Sequence, residues 1–568
     1  MHDGDQLSAG TDTAAVWRAS PPAGQRDKPT PWAPRLWAAL AWTAGGAALF
    51  ALFFRVSLTM TVDSDAANNA LQAWDLLHGH LLLHGWVTGD ATFYAFELPV
   101  IALVEIFFGL HAVTMHVAMA LIYVIVAACA AAIGVTGSRG ASRAARAAVV
   151  VAVLAAPALV NADRWIPLAT PDHLGTSVFL LVSCLLVDRA TERRWMPPLL
   201  CVILVAGQIS DVTVRYVAVP AVAVVCAYRV VAQRKIRGGD AAALAAAIVS
   251  LPLATVARAA MRHFGAYLMP APKTSIAPVS RWPHNATMTW HALRVLFGTV
   301  AGPANFPTKV GPLPAGMTGL PTGIADRPAG LAAVFGFACL AAAAAGLLRV
   351  LWRWRTATRA EQVLALAILA NLGVYLLSTI AFPRTSHEIS GVLPSAAILA
   401  ARALVPARIG GRLTALAASG AAVVAALLPL SVVAATQPTA APPMTQLSAW
   451  LSGHGLTYGL GGYWNSSATT LQSGNQVQVR PVNVGTDGIV PYPWETNTAW
   501  FDPSRHDATF VVTGLGSFGP SGITGNAQEV ERVFGKPAAT ESVGDWSILI
   551  YHKNLLRQLG PVQLGPTS

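Results

Sequence analysis

Apolar segments long enough to cross a bilayer recur along this chain, and no other feature of the sequence constrains the fold as strongly. A helix needs about 20 mainly apolar residues to span the hydrocarbon core, and eleven such windows can be recognised. Only 11% of the residues are charged, whereas soluble domains contain about 25%. The sequence therefore predicts a mainly α-helical, polytopic membrane protein with about 11 transmembrane helices. The predicted spans lie near 36–54, 115–136, 146–161, 173–188, 196–211, 216–232, 241–260, 329–350, 362–381, 391–405 and 413–435.

Basic residues gather in the connections between these windows, and this pattern predicts the topology. Lys and Arg are enriched in cytoplasmic loops. With eleven spans, five basic connections fall on the side of the N-terminus, so we predict N-terminus in and C-terminus out. The run Leu98–Leu110 has 13 residues, too few to cross, and we predict an interfacial or re-entrant helix there. The basic connections are GSRGASRAAR, RATERR, YRVVAQRKIRGG, RVLWRWRTATR and ARALVPARIGGR.

The chain divides by composition into three parts. Residues 1–35 are polar and rich in Pro and Arg, which predicts a disordered cytoplasmic tail. Residues 36–435 form the transmembrane domain, with outer loops at 55–115 and 262–328. Residues 436–568 contain alternating segments such as VQVRPV, ATFVVTG and WSILIYH, typical of strands. With the helical patterns MTQLSAWLSGHG and AQEVERVFG, they predict a small extracytoplasmic α/β domain.

Charge and cysteine content narrow the classes of partner. The net charge is +11, but the basic residues lie between apolar segments, so we expect membrane lipid and no nucleic acid as a partner. The five cysteines lie in apolar segments without CxxC spacing, so no disulfide framework or zinc site is implied. The predicted location is the plasma membrane of a bacterial cell.

The stretch TVDSDAANNALQAWDLLHGH, residues 61–80, follows the first span directly. Its polar and apolar residues alternate with helical periodicity, so we predict an amphipathic helix on the outer membrane surface. Asp63 or Ser64 can cap this helix, and Asp65 would lie in its first turn. Capping alone explains one Asp, but a cluster of acids beside a span is also typical of a site.

A second acid begins the following apolar helix. The segment AFELPVIALVEIFFGL places Glu97 at its head. A carboxylate beside the bilayer is costly unless it meets water, a cation or a hydrogen-bond donor. Glu97 is therefore either an N-terminal helix acid favoured by the helix dipole or part of a site.

These features together resemble the GT-C superfamily of membrane glycosyltransferases. The resemblance rests on the first span, the acidic start of DSDAANNALQAWDLLHGH, the later acid–Pro element FELP and the many further spans. It is greatest to protein O-mannosyltransferases and lipid A aminoarabinose transferases, and the chain as a whole resembles actinobacterial integral membrane proteins. The resemblance implies that Asp65 or Asp63 is the catalytic Asp and that Glu97 is its partner. The chain differs in having Leu98 where relatives often have Lys-Pro.

Two further loops carry candidate ligands. In NADRWIPLATPDHLGT, Asp172 and His173 are residue types that bind divalent cations, although Asp172 could simply cap the next helix. A divalent metal ion is therefore the one cofactor considered, and relatives of the oligosaccharyltransferase type bind one through acids in two outer loops. In FPRTSHEIS, Arg384 and His387 could bind a donor phosphate, or Arg384 could pair locally with a neighbouring acid.

Two other stretches admit a structural and a functional interpretation. Arg215 in ISDVTVRY could bind phosphate or pair with Asp211 four residues earlier. The stretch GLGGYWNSSATT offers Tyr463 and Trp464, which could stack on a sugar but which we predict to be ordinary core and turn residues.

The predicted function is transfer of a sugar from a polyprenyl-phosphate donor to a carbohydrate or protein acceptor at the outer face of the membrane. Asp65 would be the general base, and no nucleotide-binding motif is needed because the donor is linked to lipid. A transporter or lipid flippase is the alternative, but its sites should lie near the midplane of two related halves. A non-catalytic scaffold with an outer binding domain is a third class.

Overall fold

The computed structural model describes residues 32–161, 166–190, 192–234, 238–269, 275–300, 327–442, 444–485, 488–514 and 527–561. The chain divides into two units, residues 1–47 and 48–568. The first contributes the beginning of helix α1, and everything that follows concerns the second. Most of the predicted cytoplasmic tail and much of the predicted loop 262–328 lie outside the described residues.

Helices dominate the first 436 residues. They are α1 (Trp32–Ser57), α2 (Ser64–Leu77), α3 (Glu97–Phe108), α4 (Ala112–Gly134), α5 (Ala141–Asn161), α6 (Ser177–Arg189), α7 (Met196–Ser210), α8 (Thr213–Tyr216), α9 (Ala218–Gln233), α10 (Gly239–His263), α11 (Trp282–Leu296), α12 (Arg327–Trp352), α13 (Arg359–Leu377), α14 (Val392–Leu404) and α15 (Arg412–Thr436).

Within the described residues, seven segments are long and apolar enough to cross a membrane. They fall in α4, α5, α8–α9, α10, α12, α13 and α15, while α1, α7 and α14 contain shorter apolar stretches. Each predicted span coincides with one of these helices or with α6. The span predicted at 173–188 begins late, because α6 starts at Ser177 and His173 has a left-handed backbone with φ of 51°. The multi-pass helical membrane fold is confirmed.

The basic connections lie together at one end of the helix bundle. They are joined by hydrogen bonds that the guanidinium groups and backbone amides donate across different loops. This common end agrees with the predicted grouping of the basic loops on one side. The contacts include Arg139 N to Ala407 O (3.1 Å), Arg229 Nη2 to Ala357 O (2.7 Å), Arg349 Nη1 to Arg402 O (2.5 Å) and Ala360 N to Asp188 Oδ1 (3.0 Å).

The short helices α2 and α3 lie at the other end of the bundle. At 1.5 Å per residue the 12 residues of α3 extend about 18 Å, too short to cross a bilayer. The prediction of a surface helix at α2 is wrong in one respect. Its polar residues Asn68, Asn69 and Gln72 are buried, because the C-terminal region packs over them.

The C-terminal region contains a six-stranded mixed sheet, which confirms the predicted α/β class. Strand β1 (Trp86–Val87) lies outside this sheet and pairs with β5 (Thr496–Asn497). The other elements are β2 (Tyr458–Gly461), β3 (Gln478–Gly485), β4 (Gly488–Pro491), β6 (Phe510–Gly514), β7 (Ala539–Val543), β8 (Trp546–Ile550), α16 (Thr445–Gly453), α17 (Tyr463–Gln472) and α18 (Ala527–Phe534). In the sheet the strand order is β4-β3-β2-β6-β8-β7, and β2 is parallel to both β3 and β6.

Helix α17 ties this sheet to the membrane bundle. It follows β2 directly and packs on β3 with one face and on α2 with the other. Gly459 and Gly461 in β2 leave room for the rings and methyl groups of Phe510 and Val479 on the neighbouring strands. The buried start of α17 therefore lies against the start of α2, where the predicted catalytic Asp residues are found.

Candidate active site

An acidic cavity of about 220 Å³ lies where six loops and helix ends meet. We call it the acidic cavity throughout. It brings together the start of α2, the loop before α3, the loop before α6, the loop before α14 and two segments of the C-terminal region. Its lining comprises Asp63, Asp65, Asn69, Asp90, Ala91, Phe93, Thr170, Pro171, Asp172, His173, His387, Glu388, Trp464, Trp494 and Glu495.

The two Asp residues at the start of α2 differ in what they contact. Asp63 is the N-cap, and its Oδ1 accepts the Ala66 N–H at 3.0 Å. Asp65 lies in the first turn and accepts a short hydrogen bond from the Tyr463 hydroxyl. Burial raises the pKa of Asp63 to about 6. Burial, together with the neighbouring Asp63 charge, raises the pKa of Asp65 well above its ordinary value. Helix capping therefore explains the position of Asp63. The Asp65 carboxylate instead contacts a residue of the C-terminal region, Tyr463.

Tyr463 connects Asp65 to a third carboxyl group. The Tyr463 hydroxyl also lies 2.9 Å from Glu495 Oε2, and Asn68 Nδ2 donates to it at 3.3 Å. Burial and the Asp65 charge raise the pKa of Glu495 well above its ordinary value. The prediction that Tyr463 and Trp464 are ordinary core residues is incomplete, because both contribute to the surroundings of this site.

His173 is held between two carboxylates. Its Nδ1 lies 2.6 Å from Asp211 Oδ2, and its Nε2 lies 3.3 Å from Glu388 Oε2. Burial opposes a charge on the ring, but Asp211 and Glu388 outweigh it and raise the pKa of His173 well above its ordinary value. The position between two carboxylates therefore favours the protonated form of this ring over the neutral form.

His387 and Asp172 lie beside this group. His387 Nδ1 is 3.7 Å from Asp172 Oδ2, and the ring lies parallel to that of His173 with centroids 6.4 Å apart. Burial raises the pKa of Asp172 to about 6. Asp172 does not cap α6, since Thr176 occupies the N-cap position.

The predicted metal site does not fit the arrangement of these side chains. Within the described ranges, no group of three His, Cys, Asp or Glu residues is placed to hold a metal ion. Both nitrogens of His173 are engaged by Asp211 and Glu388, so an ion would have to displace one of these carboxylates. Asp172 and His173 lie in the cavity as electrostatic neighbours and are not assembled as ligands.

Glu97 lies behind the acidic cavity and does not line it. Its side chain is fully buried, and Oε1 accepts from Thr176 Oγ1 at 3.3 Å. Gly175 makes this packing possible, because a Cβ there would lie 2.5 Å from Glu97 Oε1. Burial raises the pKa of Glu97 to about 8. The acid that does reach the cavity from this loop is Asp90, which the sequence analysis missed.

Asp90 owes its position to a backbone pairing. The Thr92 N–H donates to Ser210 O at 2.8 Å, and Ala91 forms a bridge with Asp211. These contacts hold the loop before α3 against the end of α7. In the sequence, Asp90 stands in the stretch GDAT, and no local pattern marks it as a site residue. Its place in the cavity depends on the long-range pairing of its loop with the end of α7.

The predicted phosphate-binding residues are only partly brought together. His387 lines the acidic cavity, whereas the Arg384 side chain lies outside the described part of the structure. Arg215, on α8, is half-buried and does not appear among the lining residues. Asp211, the predicted partner of Arg215, instead accepts from the backbone N–H of Thr213 at 2.7 Å and contacts His173.

An apolar groove of about 450 Å³ adjoins the acidic cavity. It runs between α8–α9, α13 and the segment around Ile276. The two spaces share Asp90, His173 and Glu388, so these residues form the boundary between a charged and an apolar compartment. The apolar lining includes Val212, Tyr216, Val217, Ile276, Val374, Leu377 and Ile380.

The fold of this chain, a bundle of membrane helices completed by a mixed sheet, is similar to that of a solved structure. The solved structure that shows this is the crystal structure of ArnT from Cupriavidus metallidurans bound to undecaprenyl phosphate. The TM-score is 0.50 at 12% sequence identity, and the match covers 92% of this chain and 99% of ArnT. No protein-family model and no curated protein matches the chain. The predicted fold is confirmed at this level.

Proposed function

We propose that this protein transfers a sugar from a polyprenyl-phosphate donor to an acceptor hydroxyl at the membrane surface. The observation that carries the proposal is the junction between the acidic cavity and the apolar groove. A polyprenyl phosphosugar has the same division, since its tail is apolar and its head group is polar and charged. The bound undecaprenyl phosphate of ArnT supports this class of donor.

The apolar groove suits the prenyl chain. Its walls are Val, Leu and Ile side chains from α9, α13 and the neighbouring loops. The prenyl chain would exchange contacts with lipid tails for contacts with these equally apolar side chains, so van der Waals packing in the groove would hold it there. The head group would then lie at the boundary formed by Asp90, His173 and Glu388.

The transfer reaction requires a base for the acceptor and charge stabilisation for the leaving phosphate. The acceptor O–H bond breaks and its proton moves to Asp65. The acceptor oxygen forms the new bond to the sugar C1, and the C1–O bond breaks with its electron pair going to the polyprenyl phosphate. His173 offsets part of the negative charge of Asp211 and Glu388 at the boundary, so the charge of the leaving phosphate must be met by other groups. His387 and Arg384 remain the proposed phosphate ligands, with Arg215 further from the cavity.

We propose a carbohydrate acceptor in preference to a protein. Trp464 and Trp494 are partly exposed and line the same cavity as the carboxylates. Aromatic faces and hydrogen-bond acceptors together suit the apolar faces and hydroxyl groups of a sugar. The C-terminal region would thus bind the acceptor on the extracytoplasmic side of the plasma membrane.

The alternative of a transporter or flippase is less well supported. Such a protein should carry its ionisable groups near the middle of the membrane. Here the carboxylates and imidazoles of the acidic cavity lie beyond the ends of α6, α7 and α13, where an interfacial head group would be reached.

The test is donor turnover by the purified protein in liposomes. Labelled undecaprenyl-phosphate hexoses and pentoses are supplied with membrane glycan as acceptor, and released undecaprenyl phosphate and labelled glycan are measured together. Equal amounts of both products are expected for one donor. Movement of the intact donor between leaflets without release of undecaprenyl phosphate would instead support the flippase and overturn the proposal.

A further inference from the structure

The Asp65 carboxylate depends on two residues that lie about 400 positions further along the chain. We propose that Tyr463 and Glu495 are positioning residues that form, with Asp65, a single hydrogen-bonded unit containing one carboxyl proton, held by Glu495. The inference rests on the proposed role of Asp65 as general base. It makes the C-terminal region an integral part of the active site.

The geometry of the unit is set by the Tyr463 hydroxyl. It contacts Asp65 Oδ1 at the shorter distance and Glu495 Oε2 at 2.9 Å, and it accepts from Asn68 Nδ2 at 3.3 Å. Tyr463, Asn68 and Glu495 are all buried. The ring of Tyr463 is fixed by Trp464 in an edge contact and by Tyr492, with centroids 5.0 and 4.9 Å away.

Counting protons shows that one carboxyl group of the unit is neutral. A phenol has one proton to donate, and an ionised carboxylate has none. If the Tyr463 proton goes to Asp65, the contact with Glu495 is a hydrogen bond only when Glu495 brings its own proton. Two ionised carboxylates on one hydroxyl would leave an uncompensated buried charge.

The place of each carboxyl group in the fold indicates which one is ionised. Asp65 lies in the first turn of α2, where the helix dipole favours a negative charge, whereas Glu495 lies in the loop between β4 and β5. Asp65 therefore carries the charge and Glu495 the proton. This assignment leaves Asp65 able to accept a proton from the acceptor.

The surrounding charges favour a single proton in the unit. Further acids face it from α2, from the loop before α3 and from the loop before α6, and their negative charges oppose a second ionisation. The titratable groups around Asp65 and Glu495 are Asp63, Asp90, Asp172, Tyr463 and Tyr492.

The two positioning residues should affect the pH profile in different ways. The Tyr463 hydroxyl stabilises ionised Asp65, so Tyr463→Phe should move the acidic limb of kcat/KM upward by roughly one to two pH units. Gln is the neutral isostere of a protonated Glu. Glu495→Gln should therefore keep the acidic limb of the unmodified protein and lose the alkaline limb that ionisation of Glu495 produces.

Tyr492→Phe is the matched control. It removes a hydroxyl from a ring that packs on Tyr463, and within the described residues Tyr492 makes no hydrogen bond to either carboxyl group. Its pH profile should coincide with that of the unmodified protein. A shift as large as that of Tyr463→Phe would assign the effect to packing and overturn the inference.

Infrared difference spectroscopy supplies a readout that does not depend on activity. At neutral pH the spectrum of the unmodified protein minus that of Glu495→Gln should contain the carbonyl stretch of one protonated carboxyl group. A carboxylate band in its place would overturn the proton assignment even if no variant could be assayed. Inactivity of Glu495→Gln at every pH would also overturn the proton assignment.

The outcomes separate this inference from the proposed function. If Asp65→Asn retains full transfer, the proposed base is wrong. If Asp65→Asn is inactive while Tyr463→Phe keeps the original acidic limb, the proposed function stands and the positioning unit is refuted.

Discussion

The pairing of His173 with Asp211 can be tested by the single change Asp211→Asn. The substitution keeps the shape of the side chain, but Thr213 N–H and His173 Nδ1 contact different oxygens of Asp211, and Asn has one oxygen, so only one of these hydrogen bonds can persist. The substitution also removes the negative charge 2.6 Å from the imidazole ring. Glu388, 3.3 Å from the other ring nitrogen, remains.

The expected cost follows from this geometry. Removing one partner of a buried ion pair costs about 3–5 kcal/mol, and a hydrogen bond to a charged group contributes about 1.5–3 kcal/mol. Because one hydrogen bond is lost with the charge while Glu388 still faces the ring, we expect a loss of about 3 kcal/mol of stability, where the two ranges meet.

The pH dependence distinguishes the charge effect from a local backbone effect. The folded-state pKa of His173 is raised above its ordinary value of about 6.5. Its contribution to stability is therefore fully present below pH 6.5 and is lost as the pH rises through the folded-state pKa. The pKa of Asp211 is lowered, with burial opposed by the His173 charge and hydrogen bond, so its contribution is lost on the acidic side.

The assay is thermal unfolding in detergent, followed by size-exclusion chromatography, from pH 5 to pH 10. The stability difference between the unmodified protein and Asp211→Asn should be greatest near pH 5–6 and should decline in alkaline solution. Asp75→Asn is the control, since Asp75 accepts from Trp86 Nε1 at 2.7 Å and lies outside the acidic cavity. A loss that is constant across the pH range would mean that Asp211 only orders the backbone at Thr213.

Three further predictions concern the acceptor, the metal and the topology. Trp494→Ala should raise the KM for a glycan acceptor about tenfold, as expected for loss of an aromatic contact of about 1.4 kcal/mol, while the KM for the donor stays within about twofold; equal changes in both would refute an acceptor role. Transfer should persist after EDTA treatment, because both nitrogens of His173 are occupied by carboxylates, and loss of activity restored by a divalent cation would contradict this geometry. In intact cells, an impermeant thiol reagent should label cysteines placed at the exposed positions His80, Arg281 and Ser504, but not at Arg143, Arg234 or Arg355; labelling at Arg143 would reverse the proposed topology.

The helices could be predicted because long apolar windows and basic loops are local signals. Each of the eleven windows coincides with a helix, and the common end of the basic connections agrees with the charge pattern. The strands around VQVRPV and WSILIYH were likewise visible as alternation, and they form β3 and β8.

The site could be predicted only where a residue has a local signal. Asp63 and Asp65 were found because a helix start follows a span, and Asp172, His173 and His387 because acids and imidazoles stand out in short loops. Their partners were missed, since Glu495 and Tyr463 reach Asp65 through folding of the C-terminal region against α2.

Glu97 illustrates the opposite error. Its sequence context, an acid before an apolar helix, suggested a site residue beside Asp65. In the structure its carboxyl group is buried against Gly175 and Thr176, and the neighbouring Asp90 faces the cavity. The sequence alone could not show whether Asp90 or Glu97, which are close together in the chain, would face the cavity.

The most direct test of the account is the rate of sugar transfer by Asp65→Asn. The change preserves the volume and the contact with Tyr463 but removes the base, so the rate should fall about 10²–10⁴-fold with the protein still folded. Asp75→Asn should keep its activity, and Asp63→Asn should keep its helix cap, since Asn caps as well as Asp. A rate for Asp65→Asn within about twofold of the unmodified protein would contradict the account, and loss in Asp63→Asn alone would move the base to the capping residue.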